Sequence, residues 1–215
     1  MSFSNFLGVV EFANTNTANQ NTTLLDTATG ALTRRNNLLR PRWYSTSTTL
    51  PNGEVYIQGG LSGEDRPEIR SLTGTQRLLD GVDTSALQYA FPRNFVAPDG
   101  RVFGYDTYGQ MYFVNASGNG TITRVGTLAS QYASDSGSAA LYRPGRILQL
   151  GGNSNSVAVI DITGATPVVT ATQSLASQRQ WVNATILPDG KVRHVYSACV
   201  VEQDAAAIAN QLGKC

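Results

Sequence analysis

Residues 42–60 read RWYSTSTTLPNGEVYIQGG, and this stretch decides how the rest of the chain is read. Tyr44 to Leu50 alternates and is rich in Thr, Ser and Tyr, which suits an extended strand. Pro51-Asn52-Gly53 is a turn signal, because Asn and Gly tolerate the positive φ that tight hairpin turns require. Glu54 to Gln58 alternates again, with Val55 and Ile57 on one face and Glu54, Tyr56 and Gln58 on the other. Gly59-Gly60 lets the backbone leave the sheet or approach another backbone closely. A lone hairpin cannot bury its apolar face in water, so the unit must recur or find a partner.

It recurs. The turn appears at Gly53, Gly100, Gly145 and Gly190, with spacings of 47, 45 and 45 residues. Each turn stands between two strand-like runs, as in NFVA-PDG-RVFGYD and WVNATIL-PDG-KVRHVY. A second series of hairpins lies between these: TTLLDTATGALTRR, RPEIRSLTGTQRLL, QMYFVNASGNGTITRV and VAVIDITGATPVVTAT. Its turn glycines are Gly30, Gly74, Gly118 and Gly164, spaced 44, 44 and 46 residues apart. Two interleaved hairpin series at one period imply a four-stranded antiparallel unit, and a period of ~40–50 residues is that of a β-propeller blade, the kelch type lying near 50. A sandwich with evenly spaced turns is the competing reading. The expected fold is therefore all-β: a partial kelch-like propeller of about four four-stranded blades over residues 22–192. Residues 79–90 are expected to connect two blades, with one helical turn at Thr84 to Leu87. Residues 1–21, which end in the polar run NTNTANQN, are expected to be poorly ordered or aberrant. In residues 193–215 the repeat is replaced by Val201, Ala205, Ile208 and Leu212 at helix spacing, so a short helical tail is expected. This loss of pattern at both ends is expected of a product truncated or altered in reading frame.

Composition narrows the function. The chain has 215 residues, 41% hydrophobic and 14% charged, with a net charge of +1. No basic field steers it to nucleic acid or an anionic membrane, and neither partner is expected. No apolar run approaches the roughly 20 residues that span a bilayer. The N-terminus makes a poor secretion signal, since no positive segment leads it and Glu11 interrupts its apolar patch. Both cysteines, Cys199 and Cys215, lie in the last seventeen residues, so no disulfide framework holds the repeats.

RWYSTSTTLPNGEVYIQGG, FPRNFVAPDGRVFGYD, SAALYRPGRILQLGG and RQWVNATILPDGKV, in this order, resemble the propeller of the galactose oxidase and glyoxal oxidase family. The resemblance implies a copper radical oxidase, which converts primary alcohols or aldehydes and reduces O2 to hydrogen peroxide. It implies a small alcohol, aldehyde or carbohydrate as substrate and a secreted location. It also implies copper held by two tyrosines and two histidines, one tyrosine carrying a thioether to cysteine. Tyr44, within Arg42-Trp43-Tyr44-Ser45, matches the crosslinked tyrosine, which makes it the catalytic and copper-ligand position. Phenolate oxygen and imidazole nitrogen both suit Cu(II). Arg93 matches the substrate-contacting arginine across a short gap; the other reading is an arginine capping a strand end on backbone carbonyls.

The departures are equally specific. No cysteine precedes Tyr44, and His194 is the single histidine of the chain. One copper-ligand position of four is present, so the chain is expected not to turn over by itself. A non-catalytic propeller module that binds carbohydrate or protein is the alternative, and open blade edges are expected to favour self-association. His194 and Cys199 are five apart, on opposite faces of a strand, and form no metal pair. Trp43 and Trp181 are expected to open equivalent strands, where core packing between blades is the favoured reading and lining of the propeller face the other. Asp99, Asp161 and Asp189 sit in or beside turns, where Asp caps its own backbone.

Overall fold

The computed structural model describes residues 6–7 and 17–196. The first sheet has three strands, β1 (Phe6–Leu7), β2 (Thr22–Leu25) and β3 (Leu32–Arg35). The second has four, β4 (Trp43–Thr49), β5 (Val55–Leu61), β6 (Glu68–Arg70) and β7 (Gln76–Leu78), in chain order. The third repeats that order with β8 (Arg93–Val96), β9 (Val102–Tyr105), β10 (Gln110–Asn115) and β11 (Thr121–Thr127). The fourth contains β12 (Gly137–Arg143), β13 (Arg146–Gly151), β14 (Val157–Asp161) and β15 (Val168–Thr172). A two-stranded sheet of β16 (Val182–Ile186) and β17 (Val192–Tyr196) follows.

All described pairs are antiparallel and join strands consecutive in sequence. This is a partial propeller with three complete blades and parts of two more. All eight turn glycines of the sequence pattern join consecutive strands, and seven of them, Gly164 excepted, have positive φ. The hairpin TTLLDTATGALTRR does not belong to the first complete blade, since β2 and β3 pair within the first sheet. The connector at 79–90 is a turn, closed by the Leu87 N–H donating to the Thr84 carbonyl at 3.0 Å. The 3-10 turn of the described chain lies instead at Ser130–Tyr132.

The first strands lie toward a common centre, β4 touching β8 and β12 touching β16, and the later strands fan outward. Sheets stacked this way bury both of their faces. Strand β5 shows the result: Val55, Tyr56, Ile57 and Gln58 are all buried. One core cluster places Phe103, Tyr105 and Phe113 of the middle blade against Ile147 and Ile160 of the next. The other face of the middle blade sends Val102, Tyr112 and Val114 to Tyr56, Ile69 and Leu79. Alternation along each strand thus divides its side chains between two neighbouring blades.

Polar groups on these faces pair across the gap. The Tyr56 hydroxyl donates to Gln58 Oε1 at 2.7 Å, and Gln58 Nε2 donates to the Tyr112 hydroxyl at 2.8 Å. Tyr112 donates to Asn94 Oδ1 at 3.0 Å, and one blade further on Tyr105 donates to Gln149. Gln58 and Gln149 stand one position apart in EVYIQGG and RILQLGG, so Tyr–Gln pairs join successive blades from neighbouring rather than equivalent positions. Arg42 and Glu68 form a second buried connection at 2.7 Å. The remaining guanidinium donors of Arg42 reach the carbonyls of Gly59, Gly63 and Arg66, each at 2.6 Å. Glu68 Oε2 accepts the Leu39 N–H at 2.8 Å.

Candidate functional site

The inner strands begin at one end of the propeller, and the backbone there is unusual. Tyr44, Phe91 and Trp181 have φ of 67°, 51° and 51°. Each stands nine residues before its blade's turn glycine, and Ser136 takes that place in the fourth sheet. A non-glycine residue in the left-handed region costs about 1–3 kcal/mol and persists only where its surroundings enforce it.

Those surroundings are the paired glycines. Along β4 and β5 the register runs Trp43↔Leu61 and Ser45↔Gly59, and the Tyr44/Gly60 pair between them drops out of the ladder. Both of its members are left-handed, Gly60 with φ 86°. The Gly60 N–H turns outward and donates to the Tyr89 carbonyl at 2.8 Å. In return, the Phe91 N–H donates to the Tyr44 carbonyl at 3.0 Å. A Cβ at Gly59 would lie 2.5 Å from the Tyr89 oxygen, so glycine alone permits this approach. Gly152 repeats the contact, donating to the Arg179 carbonyl at 3.1 Å. The Gly-Gly pair is thus the dock for the next blade, the second of the two roles expected for it.

The local twist also sets the side chains. Neighbours in a regular strand point to opposite faces. With Tyr44 left-handed, Trp43 and Tyr44 stack at 4.1 Å between ring centroids and 25° between planes. Phe91 closes on the Tyr44 ring from the next blade at 4.5 Å. Tyr44 remains 42% exposed although it is the middle ring of the three. Arg93 lies beside it. Its guanidinium donates to the carbonyls of Phe91 at 2.7 Å, Asp135 at 3.1 Å and Ser134 at 3.5 Å, and to that of Gly137. Tyr44 and Arg93 therefore meet around Phe91, whose ring touches one and whose carbonyl binds the other.

Phe91 was not among the residues singled out by sequence, although its nine-residue spacing from Gly100 carried the signal. Trp181 is equivalent to Tyr44, not to Trp43, and at 56% exposure it is not a core residue. Trp43 is half-buried. Asp99, Asp161 and Asp189 each accept the N–H two residues on, at 3.0, 2.9 and 3.0 Å. All three carboxyls are held below the ordinary value, Asp161 and Asp189 first by the side chains of Thr163 and Lys191 and then by those N–H groups. For Asp99, desolvation opposes this as the largest single influence.

A copper site needs several donors in one place. The described residues do not supply that. Tyr44 is in β4, and His194, the single histidine of the sequence, is in β17. Among the described residues no group of three or more His, Cys, Asp or Glu comes together. Burial and then the Arg179 charge both lower the His194 pKa, so its imidazole stays neutral near pH 7. Cys199 and the helix-spaced tail lie outside the described residues. The phenols buried between blades are no better placed for redox work: desolvation pushes Tyr56, Tyr105 and Tyr112 well above the ordinary tyrosine value.

No protein-family profile and no curated protein sequence matches the chain. Solved structures do. A fungal alcohol oxidase of the AA5 family, solved in complex with copper, has a TM-score of 0.71, with 20% identity over 82% of this chain. The fold is shared with a copper oxidase. The chain spans 42% of that oxidase's length. YjhT has a TM-score of 0.64 at 13% identity, over 88% of this chain and 70% of its own. At such identities the likeness shows the fold alone.

Proposed function

We propose that this chain is propeller sequence of a copper radical oxidase, a protein that oxidises primary alcohols or aldehydes and reduces O2 to hydrogen peroxide. The observation that carries this reading is the presentation of Tyr44. The residue that matches the family's crosslinked tyrosine is held left-handed, exposed and stacked between Trp43 and Phe91. The shared architecture of the fungal alcohol oxidase supports it. The described residues do not fit a complete copper centre, so no catalytic step is assigned to them. Their role in this reading is to hold the Tyr44 phenol and to offer an aromatic surface to a small alcohol or sugar.

Turnover then requires donors beyond Tyr44, because the sequence has one histidine where the family uses two. The test is to add Cu(II) and a panel of primary alcohols and aldehydes, and to follow peroxide. The chain by itself is expected to give no more peroxide than free copper. Small sugars and alcohols are expected to quench Trp43 fluorescence, and Tyr44→Ala to abolish the quenching. Equal quenching in Tyr44→Ala would remove the aromatic surface from the account. A binding module without redox lineage remains the second reading. Tight carbohydrate binding at Trp181 that ignores Tyr44 would favour it.

A further inference from the structure

Two of the three complete blades hold the next blade through paired glycines, and the middle one has other residues at that place. Gly59-Gly60 and Gly151-Gly152 stand six and seven residues after the turn glycines Gly53 and Gly145. The same count from Gly100 reaches Asp106-Thr107. Gly60 and Gly152 send their N–H groups to the carbonyls of Tyr89 and Arg179 in the next blade, at 2.8 and 3.1 Å. Asp106 serves its own blade and the connector before it. Its N–H donates to the Gln110 carbonyl at 3.3 Å, and its carboxylate accepts the N–H groups of Gln88, Tyr108 and Gln110, at 2.9, 3.0 and 2.8 Å.

The side chain that reaches from the third sheet to the fourth at this end is Arg93. The docked carbonyls, of Tyr89 and Arg179, each stand two residues before a left-handed entry residue, Phe91 or Trp181. In the fourth sheet that place belongs to Ser134, two before Ser136. Arg93 Nη2 faces the Ser134 carbonyl at 3.5 Å, the Asp135 carbonyl at 3.1 Å and the Gly137 carbonyl. A guanidinium presents several donors in one plane, so it spans carbonyls that a single N–H cannot. Nη2 has two hydrogens, and the three carbonyls occupy both. Tyr105, the register partner of Arg93, crosses to the same sheet by donating to Gln149. The guanidinium also holds Phe91. Arg93 Nη1 donates to the Phe91 carbonyl at 2.7 Å, while the Phe91 N–H donates to the Tyr44 carbonyl at 3.0 Å. These two bonds bracket the costly φ of 51° at Phe91, whose ring lies 4.5 Å from that of Tyr44.

We propose that Arg93 is a positioning residue: it replaces the glycine dock between the third and fourth sheets and, by holding the Phe91 carbonyl, sets the Phe91 ring against Tyr44. The arginine then serves the backbone and not a substrate, because a ligand could reach Nη2 only by displacing carbonyls already bound. Its bearing on catalysis rests on the oxidase reading of Tyr44; the clamp itself does not.

The experiment uses the whole chain, without copper or alcohol. Near-ultraviolet dichroism reports on the aromatic stack, whose share of the signal is the part lost in Trp43→Phe. Arg93→Met is expected to weaken that part as Phe91→Leu does, and the double variant to lose no more than either. Its melting temperature should fall by roughly 3–12 °C, as for the loss of a hydrogen-bonded charge. Arg93→Lys keeps the charge and three donors and should restore most of the stack signal. In the unaltered chain, nuclear magnetic resonance should show the Arg93 Nη protons as separate signals in slow exchange with water, so the proposal stays testable if Arg93→Met does not fold. A folded Arg93→Met with an unchanged stack signal would overturn the clamp, whatever the peroxide assay shows. So would Arg93 Nη protons that exchange as fast as those of the exposed Arg143.

Discussion

Replacing Gly60 with alanine adds one methyl group at the point where two blades and the aromatic stack meet. Two costs follow from the geometry. The first is conformational: Gly60 has φ 86°, and an L-residue in the left-handed region costs roughly 1–2 kcal/mol. The second is steric. The new Cβ would lie 2.7 Å from Arg42 Cβ, 3.0 Å from the Trp43 nitrogen and 3.1 Å from Arg42 Cα. Two of these atoms are backbone and the third starts the side chain of the buried Arg42–Glu68 pair, so none can swing aside. Overpacking of this kind adds about 1–3 kcal/mol, for a total near 2–5 kcal/mol. The control is Gly100→Ala. Gly100 has a similar φ of 85° but nothing within 4 Å of the added carbon, so only the conformational cost of about 1–2 kcal/mol applies. Urea melts of both variants, with near-ultraviolet dichroism reporting on the Trp43–Tyr44 stack, give the comparison. Gly60→Ala should lose clearly more stability than Gly100→Ala and should alter the aromatic signal. Equal losses would refute the claim that the close approach of Arg42 and Trp43 to Gly60 requires glycine there.

Three further outcomes follow from the buried polar contacts. Arg42→Met leaves the Glu68 carboxylate buried without its cation and should cost about 3–5 kcal/mol; a double-mutant cycle with Glu68→Gln should recover part of that loss in urea melts. Tyr112→Phe strands Gln58 Nε2 and Asn94 Oδ1 between blades and should cost about 1–3 kcal/mol, with a less than additive loss when combined with Gln58→Leu. The folded-state pKa values of Tyr56, Tyr105 and Tyr112 are raised above the ordinary 10.0, so the stability they contribute is complete below that pH and is lost as pH rises beyond it. Alkaline titration should therefore show tyrosinate appearing together with unfolding above about pH 10, and independent titration of those phenols in a folded chain would contradict it.

The architecture was legible in the sequence because its signals are local. Asn-Gly and Asp-Gly turns, alternation and a fixed period each follow from backbone sterics within a few residues. The same locality explains what was hidden. Alternation divides Val55 and Ile57 from Tyr56 and Gln58, but it does not say that a second blade covers the polar face. Gln58 reads as a surface residue until Tyr112, 54 positions away, supplies its partner. The Arg42–Glu68 pair joins strands 26 residues apart and has no sequence period to reveal it. At the candidate site, Tyr44 and Arg93 are both marked by the resemblance. Phe91 links them, yet its role depends on a left-handed backbone that no side-chain pattern announces. The equivalence of Trp181 to Tyr44 was obscured because two tryptophans suggested each other as partners. Counting back from the turn glycine is the sounder guide, since the turn fixes the register.

The most direct test of the central claim is the peroxide yield of the purified chain with Cu(II) and primary alcohols, measured beside free copper and beside Tyr44→Phe. All three should agree, because Tyr44 holds one position of a donor set that the described residues do not complete. Peroxide above the free-copper level that disappears in Tyr44→Phe would contradict it and make this chain an oxidase in its own right.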